Sequence, residues 1–137
     1  MTVGLVYDDA YLRHEHTPTH PERKERLQYT MDQLAEEGVL DDPAIEMLAP
    51  DEPSNEQLQR VHTDAYLERL RSMSASGSGM LSVDTHISAH TWETAKLAAG
   101  GVMRGMDAVA SVATRTAFVM GRRGGHHASP ADRRGIY

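Results

Sequence analysis

From Trp92 onward the apolar positions Trp92, Ala95, Ala99, Val102, Met106 and Val109 recur at spacings of three and four, which predicts a long helix with one continuous buried stripe. A short apolar run, Ala117 to Met120, follows closely and reads as a strand. Gly100, Gly101 and Gly105 lie inside the helical stretch. Each would cost up to about 1 kcal/mol against Ala in a helix interior, a cost that implies close packing against a neighbour.

The rest of the chain continues the alternation. Val3 to Tyr7 is a short apolar run ended by Asp8-Asp9, as a buried strand that delivers polar residues at its carboxyl end would be. After the segment HEHTPTH, Pro21 suits a first helical position, Glu22 and Glu25 a first turn, and Leu27, Met31 and Leu34 one face before Gly38 stops the helix. Ile45 to Ala49, between prolines, predicts a second strand. Ser54 with Gln57 forms a capping box opening a short helix, and Leu67, Leu70 and Met73 mark the next. SASGSG, residues 74–79, has the composition of a flexible loop. Ser88 or Thr91 is the expected N-cap of the long helix. Strands separated by helices predict a single α/β domain over residues 1–137, with a parallel sheet whose sites lie beyond the strands' carboxyl ends. His126 and His127 fall in such a place.

Composition narrows the function. With no Cys, a metal must be held by His, Asp or Glu. A formal charge of -6, with two Lys beside twelve Arg, argues against nucleic-acid binding. No run approaches the roughly 20 apolar residues of a membrane span, and the first residues do not resemble a secretory signal, so a cytoplasmic protein is expected. Leu, Ile, Val and Phe total only 24 of 137 residues, a thin core for a domain of this size.

The histidines admit several readings. Adjacent His126 and His127 would point to opposite faces of a strand, so they converge only on irregular backbone, which Gly124-Gly125 permit. One buried and one solvated ring is the alternative. His14, His16 and His20 form either a metal cluster or an exposed His-rich loop, and the loop is the expectation.

Four ordered blocks resemble the histone deacetylase family, in the broad sense that includes acetoin-utilisation and acetylpolyamine deacetylases. They are VYDDAYLRHEHTPTHPERKERL with its HPE-x-x-x-R-L signature, VHTDAYLERL, VDTHISAHTWETAKLAAGG, and GRRGGHHASPADRRGIY. The resemblance implies the N-terminal portion of a three-layer α/β/α, arginase-like deacetylase fold. It implies zinc as cofactor and acetylated lysine or polyamine as substrate, with His126 a hydrogen-bonding and electrostatic partner of a zinc-bound water and His127 the general base and then acid. Asp84 would hold the substrate backbone, and Gly135 and Ile136 stand at the family's G-F, where an aromatic walls the acyl-lysine tunnel.

The departures from the family are local and large. Arg123 and Gly124 replace two prolines, Ile136 replaces the aromatic, and Tyr137 stands at a Cys position. The family's zinc ligands and catalytic Tyr lie downstream of residue 137, so the expectation is a truncated domain that is inactive alone and binds no zinc tightly. Such a chain would expose a sheet edge near Phe118 and apolar helix faces. The alternative function is a non-catalytic remnant or interaction module that pairs through that edge, with itself or with a separate C-terminal half. A small metal-binding protein using His14, His16 and His20, or the His pair, is a third reading.

Overall fold

In the computed structural model, residues 2–122 and 128–131 are described. The strands are β1 (Val3–Val6), β2 (Ile45–Leu48), β3 (Ser78–Ser82), β4 (Thr85–Ser88) and β5 (Thr116–Val119), and the helices are α1 (Lys24–Glu36), α2 (Asn55–Gln59), α3 (Asp64–Ala75) and α4 (Thr91–Ala110). β1 is the central strand of a parallel sheet ordered β2-β1-β5. Val3 faces Ile45 on one side and Thr116 on the other, and Val6 faces Leu48 and Val119. All three strands therefore end at one level, where the loops after β1 and β5 meet. The predicted α/β class with a parallel sheet is what the chain adopts.

Several local expectations hold for stated reasons. Ser54 accepts from the Gln57 N–H while the Gln57 side chain accepts from the Ser54 N–H, a reciprocal cap that starts α2. Gly38 ends α1 at φ 72°, a left-handed conformation that glycine adopts without penalty. Leu27 is fully buried and Met31 and Leu34 pack beside it.

Others are corrected. α1 begins at Lys24 rather than at Pro21, because the Glu22 N–H bonds the His20 ring and the Glu22 carboxylate is drawn across the fold to Arg122. Residues 74–79 are not a loop. They complete α3, turn at Gly77 (φ 86°) and enter β3, which pairs antiparallel with β4. Ser74 makes this possible, since its buried hydroxyl lies 3.0 and 3.1 Å from the carbonyls of Ser88 and Ala89 and accepts from the Trp92 N–H. The N-cap of α4 is His90, without a side-chain cap bond, while Thr91 Oγ1 accepts from the Ser88 N–H.

The largest correction concerns the buried side of α4. Thr94, Ala98, Gly101, Gly105 and Ala108 face inward, whereas Val102 (50 % exposed), Met106 (66 %) and Val109 (40 %) face outward. The glycines decide the choice. A Cβ on Gly101 would lie 2.2 Å from Tyr11 Oη, one on Gly105 would lie 3.1 Å from Val119 Cγ2, and one on Gly100 would lie 1.7 Å from the Asp51 carbonyl oxygen. At Gly100 the neighbour is backbone and cannot yield, whereas at Gly101 and Gly105 a side chain would have to shift. Among the described residues β5 is an edge strand, with Phe118 61 % exposed beside the outward face of α4.

Candidate active site

Beyond the carboxyl ends of β1 and β5 a buried polar corner forms. β1 runs into Asp8, whose Oδ1 accepts from the Ala10 N–H and starts a 3-10 turn, Asp9–Arg13, that carries Tyr11 into the core. Tyr11 is fully buried and donates to the Leu97 carbonyl of α4 (3.0 Å). β5 runs into Met120, Gly121 and Arg122.

Arg122 is the hub of the corner. Its Nε donates to Glu22 Oε1 (3.0 Å), its Nη2 to Glu22 Oε2, and its Nη1 to the carbonyls of Tyr11 and His14 (2.8 Å each). The Arg122 side chain is 0 % exposed. The Glu22 fork is a bidentate, charge-assisted pair, the strongest geometry available to these two groups. Breaking it from one side would strand a buried charge at a cost of about 3–5 kcal/mol. Arg26 adds a bond from Nη2 to the Gly121 carbonyl (2.9 Å). The loop after β1, the start of α1 and the end of β5 are thereby locked together.

The same corner holds histidines. His14 is fully buried, with Nδ1 2.7 Å from Thr91 Oγ1, and the His16 ring also has no exposed area. The rings of His14 and His16 meet edge to face at 4.6 Å between centroids, His20 stacks on His16 at 4.0 Å, and His86 of β4 approaches edge-on at 6.3 Å. The expected exposed loop is therefore wrong: the intervening backbone faces water, but the rings turn inward. Burial pushes His14 down to about 3 and His16 to about 4, aided by the positive charge of Arg122, so both are neutral near pH 7.

Asp84 sits exposed at the turn of the β3–β4 hairpin. Its Oδ1 accepts from Ser82 Oγ (2.6 Å), and that bond foremost holds its carboxyl below the ordinary value. His126, His127, Gly135 and Ile136 lie outside the described residues. Both chain flanks of the His pair are anchored, however. Upstream stands the Arg122 clamp. Downstream, His62 Nδ1 donates to the Ser129 carbonyl (3.1 Å) and the Thr63 N–H to the Pro130 carbonyl (3.0 Å). Sequence reasoning missed Arg122, Glu22 and His62 as organisers. The one signal available was their place in the HPE, VH and GRRGGHH blocks, since partners 67 to 111 residues apart have no spacing rule.

A family model described as the histone deacetylase domain matches residues 20–136. A probable deacetylase of Archaeoglobus fulgidus is 45% identical over 130 residues, covering 95% of this chain and 36% of that protein. A histone deacetylase-like amidohydrolase of Pseudomonas aeruginosa is 33% identical over 133 residues, covering 97% of this chain and 33% of its own length. The crystal structure of the HDA15 HD domain superposes with a TM-score of 0.88 at 24% identity, covering 96% of this chain and 38% of that one, which bears on the fold alone. The chain thus spans about a third of the length of these relatives. The match runs over four-fifths or more of its residues and joins the HPE block to the last residues before Tyr137, so the chain belongs to the histone deacetylase family.

Proposed function

We propose that the chain carries the His-pair half of a zinc-dependent deacetylase site, which in the complete domain hydrolyses acetyl-lysine or a related acyl amide in the cytoplasm. The observation that carries this reading is the anchoring of the residues on either side of His126 and His127: Arg122 is tied to the loop after β1, and Ser129 and Pro130 are tied to His62 and Thr63 at the start of α3. A general base must be held to a fraction of an ångström, and anchored flanks favour such positioning.

A bound zinc would supply Lewis-acid chemistry, polarising the acyl carbonyl and lowering the pKa of a water. Its ligands come from residues beyond 137, in the same or a separate polypeptide, which fits the third of the relatives' length that the chain covers. The residues present here do the proton work. His127 takes the proton of the attacking water and returns it to the departing amine nitrogen. His126 donates a hydrogen bond to the oxygen that becomes negative. Asp84, exposed on its hairpin and ionised, accepts hydrogen bonds from the substrate backbone. Gly135 and Ile136 line the acyl-lysine passage.

The second reading, an interaction module, is favoured by the outward apolar face of α4 and the β5 edge, which offer a surface for a C-terminal half or another copy. One experiment separates the two. Residues 1–137 are joined to the remaining C-terminal part of the Archaeoglobus fulgidus relative and assayed on an acetyl-lysine peptide. Hydrolysis that falls on the order of a hundredfold in His127→Ala supports the catalytic reading. A folded, zinc-loaded chimera without activity, or one indifferent to His127→Ala, rejects it in favour of the module.

A further inference from the structure

We propose that the loop between β1 and α1 is a second metal site, in which His14, His16 and Glu22, rather than the His pair, hold a divalent late transition metal, zinc foremost. One ring nitrogen each of His14 and His16 and one carboxylate oxygen of Glu22 lie within 4.8 Å of one another. Ligands at zinc distances of 2.0–2.2 Å sit about 3.4 Å apart in a tetrahedron, so closure needs about 1 Å of side-chain movement.

A second observation points to a ligand. Neither Nδ1 nor Nε2 of His16 makes a hydrogen bond, although the side chain is 0 % exposed and Nε2 lies 3.8 Å from Glu22 Oε2. A neutral imidazole carries one donor and one acceptor, and burying both unmet is costly unless something fills the acceptor. A protonated His16 paired with Glu22 is disfavoured, because Arg122 already neutralises that carboxylate.

The surroundings fit metal ligation. Thr91 Oγ1 accepts from the Ser88 N–H and lies 2.7 Å from His14 Nδ1 and 3.1 Å from Ser88 Oγ. Its two lone pairs are met if His14 Nδ1–H donates as well, which makes Nε2 the acceptor nitrogen of that ring. Such a bond on the far nitrogen is what orients a ligating histidine, and the Arg122 fork does the same for the Glu22 carboxylate. Two imidazoles and a carboxylate select zinc, cobalt or nickel over magnesium or calcium. His20, stacked on His16, is the nearest further imidazole. The adjacent guanidinium weakens the site electrostatically. A metal here ties the loop to Arg122, and so to the chain leading to the His pair.

Binding is read without turnover, so the test is independent of the hydrolytic reading. The 137-residue chain, freed of metal by a chelator, is titrated with Co2+, whose visible absorption distinguishes four- and five-coordinate binding from the hydrated ion. One equivalent, displaced by Zn2+, is expected, in contrast to the sequence-based expectation that the chain binds no zinc tightly. His16→Ala should weaken binding by about tenfold or more. The double variant His126→Ala/His127→Ala should leave it unchanged. The chain has no Cys, so His16→Cys should add a thiolate-to-cobalt charge-transfer band, and this arm stands even if His16→Ala fails to fold. Absence of stoichiometric binding, a His16→Cys variant without the new band, or loss of binding in the double variant overturns the site.

Discussion

The two faces of α4 are composed in opposite ways. The inward face is built of Thr94, Ala98, Gly101, Gly105 and Ala108, while the outward face carries Val102, Met106 and Val109. Hydrophobic periodicity selects the second face for burial, because it scores side-chain size. The fold selects the first, because Tyr11 and the Asp51 carbonyl already occupy the space that side chains would need. Close backbone approach excludes large residues from one side, and these gather where another element can cover them. The lesson extends to any helix with several interior glycines.

Gly100, also buried on α4, is the most sensitive position. Its Cβ would lie 1.7 Å from a backbone oxygen, which no rotamer change relieves, so Gly100→Ala should cost about 3 kcal/mol or more in urea unfolding. A near-neutral result would show that the segment around Asp51 is not packed as described. Gly101→Ala meets a side-chain atom instead, Tyr11 Oη at 2.2 Å, with the next contacts at 3.4 and 3.5 Å. It should cost about 1–3 kcal/mol. Tyr11→Phe alone should cost about 1 kcal/mol, through the lost bond to Leu97, yet it should restore most of the stability of Gly101→Ala. Additive losses in the double variant would contradict the packing of α4 on Tyr11.

Alkaline unfolding sharpens the same contrast. Burial foremost raises Tyr7 to about 12 and Tyr11 further, from an ordinary value near 10. The unfolded chain therefore ionises first, and the stability from these phenols is full below about pH 10 and lost as pH rises through the folded values. Tyr11 should account for about 1 kcal/mol of loss by about pH 11, and Tyr11→Phe should flatten the decline measured by denaturant titration. The smallest effect belongs to the outward face. Met106→Glu should change unfolding free energy by no more than about 0.5 kcal/mol while lowering any self-association seen by light scattering. A large destabilisation would mean that this face is already covered within the chain.

Much of the scaffold was legible because its determinants are local. The capping box at Ser54, the stop at Gly38, the apolar runs that become β1, β2 and β5, and the alternation that implies a parallel sheet all act within a few residues. The β3–β4 hairpin was not legible, since a serine- and glycine-rich stretch becomes strand only when Ser74 satisfies carbonyls 14 and 15 residues away. The polar corner was hidden for the same reason. Nothing near His14 or His16 announces burial, and Glu22 looks like a first-turn acid until Arg122, 100 residues later, claims it.

The sequence by itself determined the class of fold, the family, and the placing of a glycine-flanked histidine pair after β5 in the chain. Those are encoded in period, caps and ordered motifs, each readable in a short window. Tertiary structure alone decided which side of α4 is buried, that the loop histidines turn inward, and that Arg122 and His62 anchor the chain on either side of the pair. Each of these depends on which distant atoms take up the available volume and lone pairs, and that is settled only when the elements pack.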